Sequence, residues 1–186
     1  KPTTQLCSLE INGAVANVTL MRSDVFNALN VQLISELVEI LSWTESRSVG
    51  TTLSLTDSEG SSYLRVLVLR SDGKHFCAGA DINMMRDAGA RSVEENRADS
   101  QRLDRLFNSL WSHPCFTIGV VQGVALGGGA GLVACVDHCI GEPNTRIALS
   151  EGKLGILPAV IGPYVYRKLG SAQFRRLSMM ASRVGA

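Results

Sequence analysis

Apolar and polar residues alternate from Leu6 to Ile11 and again from Ala14 to Met21, with Asn12-Gly13 between the two runs. Alternation puts one face of a strand against a core, and Asn-Gly favours a two-residue turn, so the pattern predicts an antiparallel hairpin. The period then changes. Leu33, Ile34, Leu37, Val38 and Leu41 recur at spacings of three and four behind Asn30, which predicts a capped amphipathic helix to about Trp43. From Thr44 to Ser62, Ser, Thr and Gly are frequent and no period is sustained, so this stretch reads as a surface insertion.

Two unbroken apolar runs, Val66-Leu67-Val68-Leu69 and Phe116 to Val121, predict buried strands. Between them come the turn Ser71-Asp72-Gly73, a small-residue segment from His75 to Asp81, and a helix beginning near Asp81. A long amphipathic helix from Val93 to Trp111 follows, stopped by Pro114. After the second strand a glycine-dense loop leads into a helix from about Gly128 to Cys135. Short strands at Asp137–Gly141 and Arg146–Leu149 precede Ser150-Glu151-Gly152. Strands alternating with helices predict an α/β domain, residues 1–186, with largely parallel strands. Two units share the plan strand, glycine turn, helix, but their spacing is too irregular for a repeat array.

Composition narrows the picture. Of 186 residues, 45% are hydrophobic and 19% charged, which is globular usage, and the net charge of +1 gives no general field for nucleic acid. Arg167, Lys168, Arg175, Arg176 and Arg183 all follow the last acidic residue, Glu151, an arrangement that suits phosphate binding or a solvated helix face equally. The five cysteines are scattered without paired spacing, as reduced thiols would be. No apolar run approaches the roughly 18–20 residues of a membrane span, and the start lacks a signal-peptide pattern. Without an initiating Met, and ending at Arg183-Val184-Gly185-Ala186, the chain reads as a trimmed portion whose targeting peptide, if cleaved, would not be visible.

The chemistry concentrates between Val120 and Glu151. Glycines there let backbone approach a ligand, and a helix that starts in the loop aims unpaired N–H groups at it, so the predicted occupant is negative or becomes so during reaction. Gly127, Gly129 and Gly131 do not reproduce the dinucleotide fingerprint, and no Lys-Ser or Lys-Thr follows as in a phosphate-binding loop. Cys135, His138 and Cys139 lack a fourth ligand and read as packing residues, and His75 and His113 lack a nucleophile partner. Asp137 reads as a structural hydrogen-bonding residue and Asp81 as a helix cap.

Arg22 with Asn27-Ala28-Leu29-Asn30, the turn Phe76-Cys77-Ala78-Gly79-Ala80-Asp81, Gly123-Val124-Ala125-Leu126-Gly127-Gly128-Gly129, Asp137, and Ser150-Glu151-Gly152-Lys153-Leu154-Gly155-Ile156-Leu157-Pro158 stand in one order. In that order they resemble the motifs of the crotonase, or enoyl-CoA hydratase and isomerase, superfamily from about residue 6 onward. The resemblance implies an α/β crotonase superhelix of stacked ββα units, interrupted by the 44–62 insertion, with the usual C-terminal helical trimerisation segment not included. Gly-Leu-Val-Ala-Cys, Leu-Ser-Glu and Pro-Ala-Val-Ile-Gly-Pro-Tyr-Val further resemble the branch of methylglutaconyl-CoA and carboxygeranoyl-CoA hydratases.

The same resemblance implies roles. The N–H groups of Ala80 and Gly128 would form an oxyanion hole for the thioester enolate, each donor worth about 3–4 kcal/mol. Glu151 would be the general acid/base. Family hydratases carry a further glutamate two residues after the glycine triplet, where this chain has Gly131, and the space left there would admit a bulkier acyl group or a water. Cys77, Ala78 and Ile82 would hold the adenine, with Gly127 and Gly131 against the acyl part, while Arg22 and Lys153 are candidates for phosphate contact; Phe26 stands where a basic residue is usual. The implied activity is hydration of an enoyl-CoA, with coenzyme A arriving in the substrate and no permanently bound cofactor or metal. Isomerisation, decarboxylation and a non-catalytic acyl-CoA-binding subunit remain as alternatives. A homotrimer or dimer of trimers is implied, in the mitochondrial matrix of a eukaryote or the cytoplasm of a bacterium, without secretion, membrane or nucleic acid.

Overall fold

The computed structural model describes residues 1–48 and 55–185. Strands β1 (Cys7–Asn12) and β2 (Val15–Leu20) form the expected hairpin, pairing Cys7 with Leu20 and Asn12 with Val15. Gly13, at φ 58°, takes the first of the two turn positions. Parallel to β2 lie β3 (Val66–Ser71), β4 (Phe116–Val121) and, after the short β5 (Val124–Leu126), β6 (His138–Gly141), giving the order β1-β2-β3-β4-β6. Asp137 locks β4 to β6, its Oδ2 accepting from the N–H (2.7 Å) and Oγ1 (2.9 Å) of Thr117.

Helix α1 (Val31–Ser46) is capped by Asn30, whose Oδ1 accepts from the Leu33 N–H at 2.8 Å. It buries Leu33, Ile34, Leu37, Ile40 and Leu41, each contributing about 1.5–3 kcal/mol by removal from water. Beyond it the predicted insertion is exposed from Leu55 to Ser62 apart from Asp57, with Ser48 bridging Leu64; residues 49–54 of that insertion lie outside the described residues. Helices α2 (Ile82–Ala88) and α3 (Val93–Trp111) follow β3, and α3 begins with a reciprocal cap between Ser92 and Glu95. Helix α4 (Gly128–Cys135) is apolar on every side and accordingly sits inside the core.

A second layer decides where the site lies. There β5 pairs in parallel with β7 (Arg146–Ala148), which pairs with β8 (Val184–Gly185), while Cys77 bridges Ala125 and Ala80 bridges Leu29. Each main-sheet strand from β2 onward therefore runs into a short extended piece of this layer and then into a helix or 3-10 turn. These are the stacked ββα units. The caps of three helices, Asn30, Asp81 and Gly127, and the turn Ser150–Leu154 are thereby gathered along one edge.

Helix α5 (Gly162–Met180), for which no periodicity was predicted, packs on α4 and on that turn. It bends at Gly170, whose φ of 75° and ψ of 170° are not helical. Two of its basic side chains have local roles: Lys168 Nζ donates to the carbonyls of Val136 and Asp137, and Arg167 stacks over Trp111. Among the described residues no helix is long and apolar enough to cross a membrane.

Candidate active site

Where the two glycine loops meet, the bridge between Leu29 and Ala80 uses the N–H groups of Leu29 (to Gly79 O, 2.8 Å) and Asp81 (to Leu29 O, 3.0 Å) and passes over that of Ala80. Gly128 is the first residue of α4, so its N–H has no acceptor within the helix. Among the described residues neither N–H has a protein partner. The two are neighbours: a Cβ on Gly128 would lie 3.8 Å from Ala80 N, and one on Gly79 would lie 3.6 Å from Gly128 N. Glycine is required in this contact. Gly79, at φ 99°, would bring a Cβ to 2.8 Å from Leu126 O, and Gly129 would bring one to 2.3 Å from Cys77 O.

The third component comes from β7. After Ala148 the chain turns through the 3-10 segment Ser150–Leu154 and sets two side chains against Gly127, where a Cβ would lie 3.2 Å from Glu151 Oε1 and 3.3 Å from Ser150 Oγ. Glu151 is half-buried, and its Oε2 is buried without a hydrogen-bond partner. Burial pushes its carboxyl above the usual range, opposed only by its own backbone N–H. Such a group accepts and returns protons nearer neutrality than an exposed glutamate.

Ala80, Gly127, Gly128 and Glu151 all line one cavity of about 530 Å³, together with Ala78 and Ile82 and with α3 side chains including Leu103. A larger depression of about 730 Å³ between α1 and α3 shares no lining residue with it and contains neither glycine loop. Lys153, a phosphate candidate, is exposed at the first cavity.

Three expected residues lie elsewhere. The Cys77 side chain is completely buried, its thiol pushed up to about 12 by burial, so it packs behind the loop. Arg22 is held by Asp81 at 2.6 Å and by Ala28 O at 2.8 Å, which fixes its guanidinium in an internal pair with the cap of α2. Burial opposes ionisation of Asp81, but the Arg22 and Asn83 hydrogen bonds outweigh it and hold its carboxyl below the usual range. Gly131 is buried and leaves no free space: a Cβ there would lie 2.5 Å from Ile161 Cγ2 and 2.9 Å from Phe107 Cε1. The opening expected for a bulkier acyl group or a water is filled by those two side chains, which back the cavity as hydrocarbon. Ser150, Leu29 and Phe107 were not singled out from sequence as cavity residues, and only the Leu-Ser-Glu and Asn-Ala-Leu motifs pointed near two of them.

Among the described residues no group of His, Cys, Asp or Glu could hold a metal ion, and Cys135 and Cys139 are free thiols. Two backbone N–H groups without protein partners and a partly desolvated carboxyl thus share the wall of one mostly apolar cavity, the kind of arrangement found where an oxyanion is stabilised beside a proton-transfer group. The sequence profile described as enoyl-CoA hydratase/isomerase matches residues 10–186, and the chain belongs to that family. An enoyl-CoA hydratase from Shewanella pealeana superposes with a TM-score of 0.87 at 38% identity, over 98% of this chain and 63% of that one. AtuE of Pseudomonas aeruginosa superposes at 0.85 with 32% identity, over 97% of this chain and 65% of that one. The enoyl-CoA hydratase ACTT6 of Alternaria alternata is 31% identical over 166 residues, 89% of this chain and 49% of that protein. The chain thus spans between about half and two thirds of these relatives' lengths.

Proposed function

We propose that this chain binds an α,β-unsaturated acyl-CoA and adds water across its double bond. In this reading the N–H groups of Ala80 and Gly128 hold the thioester oxygen as it becomes an enolate, and Glu151 moves the protons. The observation that carries it is the partly desolvated Glu151 carboxyl beside Gly127, in the same cavity as two N–H donors without protein partners. Coenzyme A enters as part of the substrate, through Ala78 and Ile82 at the cavity edge, and no permanently bound cofactor or metal is required. Branched, carboxylated enoyl-CoA thioesters of the kind met in leucine breakdown are the proposed substrates, on the strength of the Gly-Leu-Val-Ala-Cys and Leu-Ser-Glu segments. A trimer or dimer of trimers, in the mitochondrial matrix or bacterial cytoplasm, completes the proposal.

That Glu151 is the one carboxylate on the cavity wall among the described residues also supports a second reading, double-bond isomerisation or decarboxylation, which needs the oxyanion hole and a single proton carrier. Full-length protein should be given crotonyl-CoA and 3-methylglutaconyl-CoA while the conjugated thioester absorbance is followed and products are analysed. Loss of conjugation with a hydroxyacyl product supports hydration. Isomerised product or released carbon dioxide without a hydroxyacyl product supports the second reading, and tight binding with none of these leaves a binding subunit.

A further inference from the structure

We propose that Ser150 is a second catalytic side chain, holding the water that Glu151 deprotonates; this rests on the hydration reading above. Ser150 and Glu151 are neighbours at the start of the same 3-10 turn, and both polar ends border the space a side chain on Gly127 would occupy. A Cβ there would stand 3.3 Å from Ser150 Oγ and 3.2 Å from Glu151 Oε1. Glycine at that position, with φ of 49° and ψ of −115°, keeps the space between them open. Both residues line the cavity that contains the Ala80 and Gly128 donors. Among the described residues no hydrogen bond to protein engages Ser150 Oγ. Ser100, the other serine on the cavity wall, is already committed, donating to Asn96 O at 3.0 Å. At Gly131, Phe107 and Ile161 exclude water as well as a carboxylate. A water beside Glu151 needs two to four polar partners, and Ser150 is the hydroxyl placed to be one of them.

The step balances without another reactant. One O–H proton of the water passes to the Glu151 carboxylate while its oxygen bonds to the β-carbon, and the other O–H donates to Ser150 Oγ. The π electrons move onto the thioester oxygen, held by the two N–H groups. The enolate then takes the proton from neutral Glu151 at its α-carbon, leaving a β-hydroxyacyl thioester and a restored carboxylate. Ser150 contributes no atom. Exchange of an α-proton of a saturated acyl-CoA with solvent uses Glu151 and the oxyanion hole but no nucleophilic water, so it separates the two side chains.

The test compares the full chain with its Ser150→Ala and Ser150→Thr variants for hydration of crotonyl-CoA and for α-proton exchange of butyryl-CoA in deuterium oxide. In Ser150→Ala, kcat for hydration should fall by about tenfold or more with KM little changed, as loss of a hydrogen bond to a positioned water predicts. Exchange should stay within about twofold of the wild type, and Ser150→Thr, which keeps the hydroxyl, should recover most of the hydration rate. Unchanged hydration in Ser150→Ala overturns the proposal, and so does a parallel fall in exchange, which would make Ser150 a support for Glu151 or for the fold. If the wild type exchanges α-protons but adds no water to any enoyl-CoA, the hydration reading fails and this role fails with it.

Discussion

Glu36, on the inner face of α1, and Glu151, at the turn after β7, are both carboxylates withdrawn from bulk water, yet their ionisation moves in opposite directions. Burial acts to raise both. At Glu36 it is outweighed: Oε2 accepts from the N–H groups of Gln5 (3.1 Å) and Leu6 (2.8 Å) and faces the Cys7 thiol at 3.6 Å, and Oε1 accepts from Gln32 at 2.8 Å. The carboxyl therefore stays below the usual range, and burial beside this charge pushes Cys7 up to about 12. Glu151 Oε2 has no such donor, so burial prevails. The supply of hydrogen bonds, more than depth, separates a carboxylate that ties down the chain's first strand from one ready to exchange protons.

The largest effect that would break this contrast is on turnover. Glu151→Gln should lower kcat by about a thousandfold, within the usual range for a removed acid/base, while acyl-CoA affinity is largely retained. It should also raise the melting temperature at neutral pH. A carboxyl whose folded value is raised stabilises the fold below its unfolded value and loses that contribution as pH rises through the folded one, so at neutral pH the charge is a burden. An unchanged rate, or a lower melting temperature, would remove Glu151 from the comparison.

Next in size is Glu36→Ala, expected to cost about 2 kcal/mol of unfolding free energy by stranding the N–H groups of Gln5 and Leu6, with turnover per folded molecule unchanged. The sign with pH is the reverse of Glu151. A lowered folded value means stability present above the unfolded value and lost as pH falls through the folded one, so the variant's acid denaturation profile should be flatter. Urea melts at several pH values check both statements. Gly152→Ala should be milder, a loss of roughly tenfold in kcat, since a Cβ 2.9 Å from Ser178 O displaces the turn that carries Glu151. Wild-type kcat in this variant would show that the turn tolerates movement and that the contact does not set Glu151.

The two regions were not equally legible in the sequence. Around Glu36 the period of α1 and the alternation of β1 and β2 were long enough to read, and Asn30 marked its own cap. In the Glu151 region the short strand before Ser150 and the helix after the glycine loop could be read, but the role of Glu151 rested on motif order. Its strands β5, β7 and β8 are two or three residues long, too short for any period, and α5 loses its register at Gly170 while exposing Tyr166, Leu169, Met179 and Met180. Ala80, Gly128 and Glu151, which the motifs single out, line one cavity, but tertiary partners decided where the other motif residues lie. Arg22 was removed from the ligand side by Asp81, 59 residues away, and the space beside Gly131 was taken by Phe107 and Ile161. No local pattern records contacts of that kind.

The smallest expected effect concerns where strain resides. Helix α5 ends at Ala181 in the left-handed region, φ 45° and ψ 33°, and its Cβ would stand 3.5 Å from one on Gly152. A non-glycine residue there costs about 1–2 kcal/mol, partly offset by the lower entropy of its unfolded chain, so Ala181→Gly should stabilise the protein by about 0.5 kcal/mol. The helix end is fixed by the Ala181 N–H donating to Leu177 O, a bond glycine can keep, so turnover should not change. On the Glu36 side Asn30 caps α1 from extended backbone and β1 and β2 pair without a bulge, but Phe26 (φ 56°) and Asn27 (φ 54°), between β2 and α1, also take the left-handed region. Destabilisation by Ala181→Gly would mean that the left-handed cap is held without strain, leaving hydrogen-bond supply as what separates the regions around Glu36 and Glu151.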